Sequence, residues 1–119
     1  MVSSFLWNGS ATLTSVGAVT WGSGTTGVAG AISSVNSLVG SNVNDQLGMG
    51  GVAALANGNY VVSSPNWNSD RGAVTWSNGT TGRTGAVSSA NSLVGTNVGD
   101  LVGVGGVAEL PAQRVVVDL

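Results

Sequence analysis

One stretch of this chain occurs twice, 55 residues apart. Residues 17–21 (GAVTW) return as residues 72–76, and the match extends over residues 17–64 and 72–119, with about three positions in five identical and no gap. A fixed period of this kind is typical of repeat architectures, in which one unit cannot bury its own apolar face and stacks on its neighbour. This repetition constrains the fold more than any other feature of the sequence.

The period also sets the domain organisation. With 119 residues the chain is long enough for one domain. We divide it into two repeats, residues 17–71 and residues 72–119, and the second wraps round to residues 1–16, because VSS at 2–4 matches VSS at 62–64.

Composition indicates that the repeats are built from strands. The chain holds 20 Gly, and only 7% of its residues are charged. Gly, Ser, Thr and Val suit short strands joined by tight turns, whereas Gly and β-branched residues are poor helix formers. The Asn57-Gly58 pair is a strong signal for a hairpin. We predict strand A at 51–56, strand B at 60–64, strand C at 72–76, and strand D within 85–89, continuing through 93–94.

The predicted strand pattern is typical of a propeller blade, which has four antiparallel strands in a unit of roughly 40–55 residues. By the same alignment the chain begins inside one strand B, at 2–4, and ends inside another, at 114–118. We therefore expect one complete blade between two half-blades. A β-solenoid, also rich in Gly and Asn, is the alternative architecture, although its coils usually have about 20–30 residues.

The spacing of these segments resembles a known repeat. LVG at 38–40, Asp45, GVA at 51–53, NGNYVV at 57–62 and GAVTW at 72–76 look like an FG-GAP repeat, the blade unit of integrin α-subunit propellers and of many bacterial surface proteins. The resemblance covers nearly the whole chain. It implies an all-β fold of propeller blades and a secreted or cell-surface parent protein, while the compartment of this chain is left open.

The loop that binds calcium in FG-GAP repeats lacks its acidic residues here. It would fall at 56–59 and at 111–114, and neither segment contains a carboxylate. Calcium is held by oxygen ligands that normally include carboxylates. We therefore expect no calcium at these loops, no other metal and no cofactor.

The side chains that catalysis usually needs are missing. There is no His and no Cys, which excludes Ser-His-Asp and Cys-His systems. Asp45 and Asp100 are equivalent by the repeat, would lie on different blades, and are interpreted as turn residues. They precede the Gly-rich runs at 48–51 and 103–106, where we expect backbones to pack closely. We expect no enzymatic activity.

Charge and hydropathy exclude two classes of partner. Lys and Arg together number three, too few to neutralise several phosphates of a nucleic acid or to hold the chain on an anionic membrane. No apolar run approaches the ~20 residues of a membrane-spanning helix. We expect neither nucleic acid nor membrane among the partners.

The four Trp residues form two repeat-equivalent pairs. Trp21 and Trp76 end a β-rich run and are interpreted as core residues. Trp7 and Trp67 lie in the loop between strands B and C, and they are the candidates for a ligand platform on which a sugar ring could stack. The two B–C loops differ in length and content, which favours a structural role over sugar binding.

Two functions are open at this point. The first is a structural scaffold, a non-catalytic and self-assembling propeller fragment, because two blades cannot close a ring and would expose apolar faces and edge strands. The alternative is a surface adhesin or lectin-like module that binds a glycan or another surface partner through loops on one face of the ring.

Self-assembly predicts a cyclic homo-oligomer. Propellers typically have four to eight blades. With two blades in each chain we expect a homotetramer of eight blades, with a homotrimer of six as the second choice. The trailing strands of one chain would join the leading strands of the next. This clasp would pair Val115, Val116 and Val117 with Ala18, Val19 and Thr20 of the neighbour.

Overall fold

Short strands make up nearly all of the regular structure. The structure is a computed structural model and describes residues 1–111 and 114–117. Its strands are β1 (Val2–Ser4), β2 (Ala18–Thr20), β3 (Ser37–Val39), β4 (Gly51–Ala54), β5 (Tyr60–Ser64), β6 (Ala73–Ser77), β7 (Gly85–Ala86), β8 (Leu93–Val94), β9 (Val107–Leu110) and β10 (Arg114–Val117). Across these ranges no helix is long and apolar enough to cross a membrane.

The strands form two four-stranded sheets and a hairpin. The first sheet has the order β1-β2-β3-β7, the second has the order β4-β5-β6-β8, and β9 and β10 form the hairpin. In the second sheet all neighbours are antiparallel. The all-β prediction is confirmed. The tandem repeat is also visible in the structure, because β2 pairs with β3 in the same register as β6 pairs with β8.

Predicted strand D divides between the two sheets. Predicted strands A, B and C correspond to β4, β5 and β6. A continuous strand D is wrong, because β8 pairs with β6 in the second sheet, whereas β7 runs parallel to β3 in the first. Leu38 lies opposite Gly85, and Val39 lies opposite Ala86. In the structure we take residues 1–50, with β1 to β3, as the first repeat and residues 51–106, with β4 to β8, as the second, because this division keeps β4, β5, β6 and β8 together in one sheet. The second repeat therefore contributes β7 to the sheet of the first.

A tight left-handed turn joins strands B and C of the second repeat. The short element α1 (Trp67–Asp70) contains Asn68 and Ser69 with φ of 52° and 56°, so it is not a regular α-helix. Asn tolerates this region of backbone space better than most residues because its short polar side chain can bond locally. The turn folds Trp67 back onto the sheet.

The two B–C loops are closed by the same backbone hydrogen bond. The Gly72 N–H donates to the Trp67 carbonyl oxygen at 2.9 Å, and the Gly17 N–H donates to the Trp7 carbonyl oxygen at 3.0 Å. Repeat-equivalent residues are numbered 60 apart before the loop and 55 apart after it, so the loop of the first repeat is five residues longer.

The main core lies between the two sheets. Its buried residues come from both repeats: Val19, Leu38, Leu47, Tyr60, Val62, Trp67, Ala73 and Val87. A smaller cluster lies between the second sheet and the hairpin and contains Leu55, Val61, Val74 and Val102, with Val107 and Val117 packed against it. Each repeat therefore uses its neighbour to bury its apolar face, as expected for stacked repeats.

The close packing predicted for the Gly-rich run at 48–51 is found at Gly48 and Gly50 but not at Gly51, where an added Cβ would meet nothing within 4 Å. Gly48 has φ of 82°, and a Cβ atom there would lie 2.7 Å from Val19 Cγ2 and 2.7 Å from Ser3 Oγ. Only Gly fits both the conformation and the space at this point.

Candidate functional site

Several contacts join the two repeats at their boundary, and the strand β7 is the first component of this boundary. In addition to the β3–β7 pairing, the Val87 N–H donates to the Val39 carbonyl oxygen at 3.2 Å. The side chain of Val87 is 3% exposed and belongs to the main core. The strand and the residue after it thus attach the second repeat to the edge of the first sheet.

A buried carboxylate is the second component. Asp45 Oδ2 accepts hydrogen bonds from the Ser41 and Asn42 N–H groups, both at 2.9 Å. Asp45 Oδ1 accepts a third, also at 2.9 Å, from the Asn68 N–H in the second repeat. The interpretation of Asp45 as a turn residue is confirmed. One oxygen holds its own loop, and the other holds the next repeat.

An indole is the third component. The Trp21 Nε1–H donates to the Gly79 carbonyl oxygen at 2.8 Å, across the repeat boundary. Gly82, with φ of 73°, lies against the same ring so closely that an added Cβ would collide with Trp21 Cβ. The second repeat therefore covers Trp21 by direct backbone contact.

The same residues in the second repeat are open. Leu38 is 1% exposed, but its equivalent Leu93 is 54% exposed. Trp76, the equivalent of Trp21, is 44% exposed, and Asp100, the equivalent of Asp45, is exposed as well. Among the described residues, the β9–β10 hairpin is the element that follows the second sheet. We call Leu93, Trp76 and Asp100 the trailing face.

The first repeat has a complementary open surface. Val62 is fully buried and Val87 is 3% exposed in the second repeat, whereas their equivalents Val2 and Ile32 are exposed and half-buried. Val2, Ile32 and Asn36 line one open groove together with Val28. We call Val2, Trp7 and Ile32 the leading face.

The segment equivalent to β7 is already held in place on the leading face. The Asn36 Nδ2–H donates to the Ala31 carbonyl oxygen at 2.9 Å, as the Asn91 Nδ2–H donates to the Ala86 carbonyl oxygen at 3.0 Å. Residues 30–31 therefore share the local support of β7, but in the described chain they pair with no strand.

The structure separates the predicted platform residues. Trp67 is 8% exposed and packs in the main core, so its prediction as an exposed platform is wrong. Trp7 is half-buried. Trp21 is partly buried against the core as interpreted, whereas the interpretation of Trp76 as core is wrong for this chain. The two members of each Trp pair therefore differ in exposure.

The strand to which the predicted clasp would bind, β2, is already paired on both sides. β2 pairs with β1 on one side, with Val2 opposite Thr20 and Ser4 opposite Ala18, and with β3 on the other. Both edges of β2 are therefore paired within the chain. The predicted clasp cannot pair residues 115–117 with Ala18, Val19 and Thr20 as stated. On the other side of the predicted clasp, Val115 and Val116 are exposed at 38% and 46%, and β10 pairs only with β9.

The acidic residues that the structure describes do not gather into a metal-binding group. Among the described residues no three acidic side chains lie together. The Glu109 carboxylate is used to attach the hairpin, since both of its oxygens lie 3.0 Å from the Ala56 N–H, which donates to them. Of the two loops predicted to lack calcium, 111–114 lies partly outside the described residues.

Reasoning from the sequence did not single out Leu93 and Asp100 as residues whose burial differs from that of their equivalents. Both could have been found by asking which repeat-equivalent residues lose their neighbour in a chain of two repeats. The required signal was not composition but the identity of NSLVG at 36–40 and 91–95.

Comparison with known proteins points to one family. No curated protein matches the chain, and no solved structure matches it either. A family model described as a repeat of unknown function (DUF5650) matches residues 1–49 and again residues 54–104. Each matched segment begins before a strand B and ends in a Gly-rich run, and together the two segments cover most of the chain. The chain therefore belongs to the DUF5650 repeat family and carries two copies of its repeat.

Proposed function

We propose that the chain is a non-catalytic structural module that assembles with copies of itself, the trailing face of one copy resting on the leading face of the next. The observation that carries this proposal is the contrast between Leu38 and Leu93, which have the same neighbours in sequence and opposite burial. At the boundary inside the chain, the equivalent face is covered by the next repeat.

The chemistry of the two faces supports this proposal. Burying Leu93 and Val2 in the way that Leu38 and Val62 are buried would contribute about 1.5–3 kcal/mol for each side chain. Exposed apolar residues next to unpaired strand edges generally mark an interaction surface. With a formal charge of −2 the chain also carries little repulsion against a second copy.

Head-to-tail contact of this kind gives a ring or a filament. Because the two faces differ, the interface is heterologous, and repeated application of one rotation closes only if the angle allows it. We propose closure into a propeller of FG-GAP type, with a homotetramer of eight blades preferred over a homotrimer of six. The four antiparallel strands of the second sheet support a blade of this kind.

Light scattering coupled to size exclusion tests the proposal. We expect a single species of four chains, or of three, at micromolar concentration. A monomer at all concentrations up to about 1 mM would overturn self-assembly. A polydisperse filament would retain self-assembly and overturn the closed propeller.

A further inference from the structure

The Asp100 loop is half of the site that Asp45 completes. Asp100 Oδ2 accepts hydrogen bonds from the Thr96 and Asn97 N–H groups at 3.1 and 3.0 Å, repeating the geometry at Asp45. The Asp45 side chain is fully buried because its second oxygen also binds Asn68. Asp100 is exposed, and no donor among the described residues contacts its Oδ1. The loop is formed, and one acceptor is open.

The donor that would fill this acceptor exists at the other end of the chain. Asn68 follows Trp67, and in the first repeat Asn8 follows Trp7. Both Trp residues accept the loop-closing hydrogen bond from Gly72 or Gly17 through their carbonyl oxygens. The Asn8 side chain binds within its own loop, because its Oδ1 accepts from the Ser15 N–H at 2.8 Å. Asn8 is an exposed residue, and its backbone N–H donates no hydrogen bond to another backbone group among the described residues.

Two further contacts at the boundary inside the chain have equivalents between two copies. β7 pairs with β3, and residues 30–31 of a second copy would pair with β8, which has a free edge in the described chain. Trp21 Nε1 binds Gly79, and the equivalent acceptor for Trp76 Nε1 is the Gly24 carbonyl oxygen. Around Gly24 and Gly27 an added Cβ would meet nothing within 4 Å, so both are open to a partner.

We infer that Asp100 is a docking site for a second copy of this chain, whose Asn8 N–H donates to Asp100 Oδ1 while its residues 30–31 add a parallel strand to β8. This inference rests on the proposed self-assembly and specifies its register.

The same register also corrects the predicted clasp of Val115, Val116 and Val117. In the second sheet Tyr60 lies opposite Ser77 and Val61 opposite Trp76. By equivalence Val115 and Val116 would lie opposite the neighbour's Gly22 and Trp21, beyond the end of β1. Val117 would lie opposite Thr20, where Val2 of the neighbour already pairs, so only Val115 and Val116 stay in the clasp.

A matched pair of Asp variants tests the hydrogen bond. Asp100→Asn replaces a charged acceptor at the junction between copies, whereas Asp45→Asn makes the same change at the junction inside the chain. We expect Asp100→Asn to weaken the association constant by about ten- to a hundredfold, because hydrogen bonds to charged groups are the stronger class. Both variants weaken the two hydrogen bonds within their own loop, so the midpoint of unfolding of the Asp100→Asn monomer should fall only slightly. Asp45→Asn also weakens the bond to Asn68 and should lower the midpoint further.

Cysteine pairs test the register directly, since the chain has no Cys of its own. Ala31→Cys combined with Val94→Cys should give dimers and higher species on a non-reducing gel after oxidation. The control, Val39→Cys with Ala86→Cys, copies residues that lie opposite one another inside the chain, and it should give a cross-linked monomer.

The outcomes separate the inference from the proposal on which it rests. A wild-type chain that stays monomeric in light scattering overturns both. An oligomeric wild type whose association is unchanged by Asp100→Asn, and whose Ala31→Cys/Val94→Cys variant forms no bond between chains, keeps self-assembly and overturns this junction. Loss of association together with cross-linking between chains supports it.

Discussion

The two repeats share their local structure and differ in burial. Thr20 and Ser37 exchange a side-chain hydrogen bond of 2.7 Å in the first repeat, and Thr75 and Ser92 exchange one of 2.6 Å in the second. Ser37 is nevertheless fully buried, whereas Ser92 is only half-buried. Identical sequence therefore produces identical turns and pairings, but the environment of each side chain depends on which repeat comes next.

The polar groups show the same difference. Asp45 accepts three backbone hydrogen bonds and Asp100 accepts two among the described residues. The two bonds that both residues share lie within one loop, and the third crosses a boundary. Each repeat can therefore be compared with the other as a covered and an uncovered state of one unit.

The largest effect is expected when β10, the second strand of the hairpin, is removed. Deleting residues 111–119 removes β10 and exposes the small cluster around Val61 and Val74, against which Val117 packs. We expect assembly to be lost and the chain to aggregate or to unfold non-cooperatively in circular dichroism. A truncated chain of full oligomeric size with an unchanged melting temperature would show that these residues do not join the copies.

Truncating the equivalent Leu residues compares the covered and uncovered states directly. Leu38→Ala should lower the free energy of unfolding by about 2–5 kcal/mol at any protein concentration, because it leaves a cavity in the core. Leu93→Ala should cost less than about 1 kcal/mol in the monomer, as is usual for surface changes. Its full cost should appear only at concentrations at which the wild type assembles.

Denaturant titrations at several protein concentrations measure both Leu variants. Equal losses for the two variants, independent of concentration, would mean that Leu93 is covered within a single chain and would remove the difference between the repeats.

The strands were predictable because their signals are local. Tyr60–Ser64 lies between the turn signals Asn57-Gly58 and Pro65, and β5 has these bounds in the structure. The sequence at 85–94 also favours strands, but no local signal tells residues 85–86 to pair with Leu38 and Val39 of another repeat. Pairing partners far apart in sequence depend on tertiary contacts, which a pattern of propensities does not contain.

A smaller effect is expected at the equivalent Trp residues. Trp21→Phe removes the Nε1–H donor to Gly79 and should lower the free energy of unfolding by about 1 kcal/mol. Trp76→Phe should leave the monomer unchanged and weaken assembly by a similar amount. Thermal melts and sedimentation equilibrium separate the two effects, and a destabilised Trp76→Phe monomer would contradict the comparison.

The smallest effect is expected for calcium at the A–B loops. Asn57 Oδ1 accepts from the Asn59 N–H at 3.1 Å, which leaves this side chain engaged within its turn. We expect no shift in melting temperature between millimolar calcium and a chelator. A stabilisation above about 1 kcal/mol would indicate binding to the folded chain well below millimolar calcium.

The candidate site could be predicted only in part from the sequence. Asp45 was interpreted correctly as a turn residue because its partners Ser41 and Asn42 are close in sequence. Its bond to Asn68 spans 23 residues, and it depends on a turn with positive φ that the sequence pattern did not reveal. The same turn buries Trp67, which is why that residue was misassigned as exposed.

The position of β7, a strand of the second repeat that lies in the first sheet, has a consequence for thermal unfolding. In a one-dimensional Ising description, the stability of a repeat array is divided between a term intrinsic to each unit and a term for each interface. When the sheet of one unit takes its last strand from the following unit, part of the stabilising free energy belongs to the interface term and not to the intrinsic term. Such an array has strong nearest-neighbour coupling, so both repeats should unfold in a single calorimetric transition.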